Sequence, residues 1–131
     1  MKTIFTACTL LFSIVGFTQT DLLSQHKADP QAKEEAKKKI ESIRQDILSG
    51  KIDFATAAKT YSMDPGSASQ GGSFTNIPRG TFVPEFETVV WSAKEKIVSD
   101  VFETNFGYHI LMVDAKRGDT IDVRHILIIP K

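Results

Sequence analysis

The chain has 131 residues, with 16 Lys and Arg against 16 Asp and Glu, and a single cysteine, Cys8. That length suits one domain with a modest core. The balanced charge lacks the basic excess of a nucleic-acid binder, and one thiol excludes a disulfide framework or a cysteine metal site within the chain.

The opening stretch, MKTIFTACTLLFSIVGFTQT, places Lys2 before an apolar run from Ile4 to Phe17 and then small and polar residues. This is the layout of a secretory signal. The run is short for a membrane span, which needs about 20 apolar residues. The expectation is a signal peptide over residues 1–18, cleaved after Thr18, with no stable membrane span afterwards. An uncleaved anchor and a buried N-terminal helix are the alternatives.

Residues 19–30 are ambiguous, and TDLLSQHKADP is compatible with a short strand followed by a loop ending at Pro30. Ala36, Ile40, Ile43 and Ile47 recur at the spacing of one helix face and predict a helix over 31–48. Lys33, Lys37 and Lys38, with Glu34 and Glu41 among them, form its solvated side, and Gly50 stops it. Asp53 is placed to cap a second helix whose apolar side is Phe54, Ala57, Ala58 and Tyr61. MDPGSASQGGS is a loop by composition. Residues 73–77 fit a short strand, and PRGTFVPEFETVVWSA a turn followed by a helix with Pro84 in its first turn.

Strands are predicted over 101–104 and 108–116, joined by a tight turn at 105–107, with KRGDT as a further turn. Val123–Ile129, rich in β-branched residues, is the last strand. Its two faces, Val123, His125, Leu127 and Arg124, Ile126, Ile128, are both mostly apolar, as expected of a central strand. Helices first and antiparallel strands later define an α+β domain.

Three segments, GKIDFATAAKTYSMDPGSASQGGSF, RGTFVPEFE and ETNFGYHILMV, come in an order and at distances that resemble the parvulin family of peptidyl-prolyl cis/trans isomerases. The likeness covers roughly residues 31–116 and is nearest to the parvulin domains of exported bacterial folding factors. It implies an FKBP-like antiparallel sheet of about four strands flanked by three to four helices. It also implies an isomerase that needs no metal and no cofactor. Its substrates would be unfolded or extended Xaa-Pro polypeptides, outer-membrane or secreted proteins among them, and its location periplasmic or in the cell envelope.

By the same resemblance Phe74, Phe82 and Phe86 line a proline pocket, Asp64 stands beside it, and His109 with Thr104 belongs to a hydrogen-bonded floor. For each there is a plainer alternative: core packing for the phenylalanines, a turn-starting role for Asp64, a structural role for the histidines. Arg79 suits either a preference for an acidic residue before proline or a loop cap.

The chain departs from the family at its first strand, which usually carries a second histidine. TDLLSQH offers Asp21 there, whereas VRHILII, at the other end, offers His125. Residues 19–117 therefore read as the isomerase domain. Residues 118–131 read as an extra strand that either completes the sheet or opens a second parvulin domain. Burial of 123–129 against 108–116 is the favoured outcome, since an exposed apolar strand invites aggregation. Lys96 and Ile97 replace the usual Gly-Glu before the strand pair, and Ser73 replaces a common acidic residue. The rival from another functional class is a weakly catalytic binding module for unfolded chains.

Overall fold

The computed structural model describes residues 29–131. The expected signal peptide, the TDLLSQH stretch with Asp21, and Cys8 lie outside these residues.

Helix α1 runs Pro30–Leu48, opened by Asp29, whose carboxylate accepts from the Gln31 N–H, and by Pro30 in the first position. Ser49 caps its end, and Gly50 follows with φ 81, a left-handed conformation that glycine adopts without a Cβ clash. Helix α2 runs Phe54–Tyr61 under an Asp53 cap that accepts from the Thr56 N–H. A short 3-10 turn, Ala68–Gln70, interrupts the stretch read as loop. Then come β1 (Ser73–Pro78), α3 (Pro84–Ser92), β2 (Phe102–Thr104), β3 (Gly107–Arg117) and β4 (Thr120–Ile128).

The strands form one antiparallel sheet in the order β1-β4-β3-β2. The last strand in sequence is thus internal in space, paired with β1 on one side and β3 on the other. Its burial on both faces follows. Ile126 and Ile128, with Ile110 of β3, pack against Ala36, Ile40 and Ile43 of α1 and Phe54, Ala57 and Ala58 of α2. Ile121 and Val123, with Leu111 and Val113, pack against Phe86 and Val90 of α3. Among the described residues the architecture is α+β, with three α-helices around a four-stranded sheet.

The repeated His-Ile-Leu now has a geometric meaning. Ile110 pairs with Ile126, His109 with Leu127, and Leu111 with His125. The two copies run antiparallel about their isoleucine pair. Because side chains alternate along a strand, both isoleucines face α1 and α2 while both histidines face α3.

Most element ends fall within a residue of the sequence reading, and the larger difference lies around the last strand. The KRGDT turn shrinks to Gly118–Asp119, because pairing continues through Arg117 with Thr120. The last strand stops at Ile128, leaving Ile129 exposed. Turn-like composition was outweighed by cross-strand anchoring: the Asp122 carboxylate accepts from the Arg117 guanidinium and from the Asn76 N–H. In the loop where a Gly-Glu was expected, Lys96 itself adopts a positive φ of 65. Its N–H donates to the Val113 carbonyl and its ammonium to Asp114, which sits at the β3 bulge.

Candidate active site

The loop after α2 is fastened to the end of β4 before it reaches Asp64. The Met63 N–H donates to the Leu127 carbonyl at 2.7 Å, and the Leu127 N–H to the Ser62 hydroxyl at 3.1 Å. Downstream, the His125 N–H donates to the Gly72 carbonyl at 3.0 Å. Gly72 has φ +77, and a Cβ there would lie 2.3 Å from the His125 carbonyl oxygen, so only glycine lets the loop approach this closely. Asp64 and His125, far apart in sequence, are thereby brought to 2.7 Å between carboxylate Oδ2 and ring Nε2.

A continuous hydrogen-bonded chain leads on from that pair. His125 Nδ1 and His109 Nδ1 are 3.4 Å apart, and His109 Nε2 is 2.7 Å from Thr104 Oγ1. Thr104 Oγ1 also accepts from the Phe106 N–H at 3.1 Å. On Asp64, Oδ2 accepts from the Ser67 hydroxyl at 2.6 Å, and Oδ1 from the Gly66 N–H at 3.2 Å.

The donors and acceptors available assign a single direction to this chain. Phe106 N–H donates to Thr104, whose hydroxyl donates to His109 Nε2. His109 Nδ1–H donates to His125 Nδ1, and His125 Nε2–H to Asp64. Every hydrogen bond points toward the carboxylate.

The electrostatics agree with that assignment. Burial pushes His109 down to about 4, with His125 adding to the shift and Asp64 opposing it. Burial also lowers His125, against the pull of the Asp64 carboxylate. For Asp64, burial opposes ionisation, but hydrogen bonds from Ser67, His125 and Gly66 outweigh it and hold the carboxyl below its ordinary range. Near neutral pH the floor is therefore two neutral imidazoles and one carboxylate, and the short contact between Asp64 and His125 is a charge-assisted hydrogen bond rather than an ion pair.

Folded His109 titrates below its ordinary 6.5, so the unfolded chain takes up the proton first. The stability this contributes is complete above that ordinary value and is lost as pH falls through about 4. His125 and Asp64, both lowered, act in the same direction. Denaturant unfolding followed from neutral to acid pH is expected to show a loss of about 3 kcal/mol from His109 alone, from the size of its shift. A flat stability over that range would contradict neutral buried imidazoles.

Above the floor stands an aromatic wall. Phe82 lies 4.5 Å from Phe86 and 5.7 Å from Phe74, centroid to centroid. Phe86 meets the edges of both histidine rings, at 5.6 Å from His109 and 5.4 Å from His125. Phe102 stacks on the far face of His109. Phe74, Phe82 and Phe86 line a cavity of about 310 Å³, largely apolar, with Asp64, Thr81, His109 and His125 as its polar lining. The seven residues given to the pocket and its floor in the sequence converge here: six line the cavity, and Thr104 stands behind His109.

Arg79 does not line the cavity. Its guanidinium lies 3.8 Å from the Trp91 ring centre and 3.8 Å from the Asp119 carboxylate. A role for it beside the cavity is not supported by this placement.

Three further residues were not anticipated. Ser67 is fully buried and spends its hydroxyl on Asp64 rather than on capping the 3-10 turn that it begins. Phe106, 59% exposed, forms part of the cavity rim. Glu87 accepts from the backbone of the loop before α3. A serine in a Gly- and Ser-rich loop and a glutamate on a helix are too ordinary in sequence to signal such contacts.

The fold and this floor of paired histidines, threonine and carboxylate beneath an aromatic cavity define a parvulin-type rotamase domain. The PPIC-type PPIase domain family matches residues 21–115, and the chain belongs to that family. The match ends before β4, so His125 lies beyond it, and it begins within the residues that the structure does not describe.

Among curated proteins, the chain is 45% identical over 84 residues to the Chaperone SurA of Saccharophagus degradans, covering 64% of this chain and 19% of that protein. It is 43% identical over 86 residues to the Putative peptidyl-prolyl cis-trans isomerase SurA of Haemophilus influenzae, covering 65% of this chain and 28% of that one. Against the Chaperone SurA of Salmonella typhi it is 38% identical over 90 residues, covering 68% and 21%. The matched region thus spans less than a third of the length of each of these relatives.

Proposed function

We propose that the chain catalyses cis/trans isomerisation of Xaa-Pro bonds in unfolded or extended polypeptides, without covalent chemistry, and assists the folding of exported proteins. The observation that carries this reading is the apolar, aromatic-walled cavity closed at its base by an ordered chain of hydrogen bonds ending on an ionised Asp64.

The barrier to be lowered is about 20 kcal/mol and comes from amide resonance. The planar amide carries partial negative charge on its oxygen and partial positive charge on its nitrogen, and twisting removes that separation. Phe74, Phe82 and Phe86 grip the proline ring and exclude water. The preceding carbonyl then faces the Asp64 carboxylate, whose charge disfavours the planar, oxygen-negative state and so favours the twisted one. Ser67, His125, His109 and Thr104 hold that carboxylate in place and keep it ionised. His125, on β4, takes the part of the family's second histidine, and residues 118–131 then belong to the same domain as 29–117.

Asp64→Ala is expected to lower kcat/KM on a short Xaa-Pro peptide about tenfold to a hundredfold, or about 1.4–2.7 kcal/mol. A variant that keeps full exchange activity would remove Asp64 from the mechanism.

The exposed Phe106 at the cavity rim, together with relatives named as chaperones, supports a second reading in which the site chiefly holds unfolded chains. Such a module binds the peptide without speeding its exchange. An exported, periplasmic or cell-envelope location is proposed with either reading, supported by the signal-like opening sequence and the likeness to SurA proteins.

A further inference from the structure

We propose that Glu87 is a positioning residue that latches the front wall of the cavity, and that its grip sets how tightly a proline-containing segment is held. This deepens the isomerase reading and rests on it. Thr81, Phe82 and Val83 line the cavity in succession, yet they belong to the connection between β1 and α3 rather than to a helix or strand. Val83, at the N-cap of α3, has no side-chain oxygen with which to accept a helix N–H. Something else must hold this connection against the cavity.

Glu87 lies one turn into α3 and folds back toward the connection. Its Oε2 accepts from the Gly80 N–H at 3.0 Å and from the Trp91 indole N–H at 2.9 Å, and its Oε1 accepts from the Phe82 N–H at 3.1 Å. Burial opposes its charge, but the Gly80, Phe82 and Trp91 bonds, with the nearby Arg79, keep it ionised below the ordinary glutamate range. Trp91 is itself covered by the Arg79 guanidinium at 3.8 Å, and the Arg79 N–H reaches the Asp119 carbonyl in the β3–β4 turn at 3.3 Å.

One carboxylate therefore gathers two backbone donors from the wall and one side-chain donor from the helix. Neither Glu87 nor Trp91 lines the cavity. The latch acts through the position of Phe82, whose ring stands 4.5 Å from Phe86. Without it, what tethers the wall includes the Thr81 hydroxyl on the Pro78 carbonyl, the Arg79 N–H on Asp119, the backbone Glu87 N–H on the Val83 carbonyl and the contacts of Phe82 with Phe74 and Phe86. A loosened wall binds proline less well, whereas a bound proline still meets an unchanged Asp64. The expected signature is in KM rather than kcat.

The test uses the full chain as wild type, Glu87→Ala and Glu87→Gln, with Xaa-Pro peptide exchange measured over a range of peptide concentration. Thermal melting gives the folded fraction. Trp91, the chain's single tryptophan, reports on the latch by its emission. Glu87→Ala is expected to raise KM about five- to tenfold, the range of roughly one ordinary net hydrogen bond, with kcat within about twofold and a changed Trp91 emission. Glu87→Gln, which keeps one acceptor, is expected to move KM in the same direction by less, and it decides the matter if the alanine variant does not fold.

An unchanged KM in folded variants overturns the latch, and so does a fall in kcat that merely follows the folded fraction. If the wild type binds peptide without speeding exchange, the isomerase reading fails by itself. The peptide dissociation constant from the same titration then decides the latch, a five- to tenfold weakening supporting it and no change overturning it.

Discussion

A chain ending at Arg117 is expected to lose cooperative folding altogether. Strand β4 is internal to the sheet, so its removal strips β1 of its partner and exposes one edge of β3. Ile121, Val123, Ile126, Leu127 and Ile128 are each buried, contributing to the cores on both faces. At about 1.5–3 kcal/mol per buried aliphatic side chain, their loss is comparable to the whole stability of a small domain, about 5–15 kcal/mol. The loop that carries Asp64 would also lose its fastenings to Leu127 and His125. The check is an amide NMR spectrum and a thermal melt of the shortened chain. Poor dispersion and no sharp transition are expected, and a native-like spectrum would show that β4 is dispensable.

His125→Ala is expected to have the second largest effect, and a different one. Its ring is the middle of the hydrogen-bonded chain, so its removal leaves the His109 Nδ1–H unpaired in a buried position and takes one donor from Asp64. An orphaned buried polar group costs about 1–3 kcal/mol, and the void between Phe74 and Phe86 adds to that. The domain should therefore melt lower, yet still cooperatively. With one of its donors gone, Asp64 is also less firmly held in the position that the proposed mechanism requires. Peptide exchange, measured at a temperature where wild type and variant are both folded, should fall by more than about tenfold. Full activity in a folded His125→Ala chain would sever the floor from the chemistry.

Elements with local signatures were legible in the sequence. The apolar spacing of Ala36, Ile40 and Ile43, the Asp53 cap, the Gly50 stop and the Pro84 start are written in neighbouring residues, and α1, α2 and α3 follow from them. The two-faced apolar pattern of 123–129 likewise marked a central strand. Its true start at Thr120 did not show, because KRGDT has the composition of a turn and only pairing with Arg117 and Asn76 extends the strand.

The residues of the candidate site were legible chiefly through the family likeness, which singled out Asp64, Thr104, His109 and the three phenylalanines and left His125 to be offered for the second histidine. The contact between Asp64 and His125 is a product of topology: it exists because β4 inserts between β1 and β3. Packing of the VRHILII strand against 108–116 was the favoured expectation, but the roles of Ser67 and Glu87 were beyond reach, since what each binds is created by the fold. Arg79, left open in the sequence between a preference before proline and a loop cap, is held over Trp91.

The central claim is that this cavity turns over Xaa-Pro bonds. The most direct measurement is two-dimensional exchange NMR of a short Xaa-Pro peptide with a substoichiometric amount of the full chain. The account predicts cross-peaks between the cis and trans resonances at mixing times too short for the uncatalysed reaction, which takes about tens to hundreds of seconds. Peptide signals that broaden or shift on binding while cis and trans remain unexchanged would contradict it, and would make the domain a holder of unfolded chains.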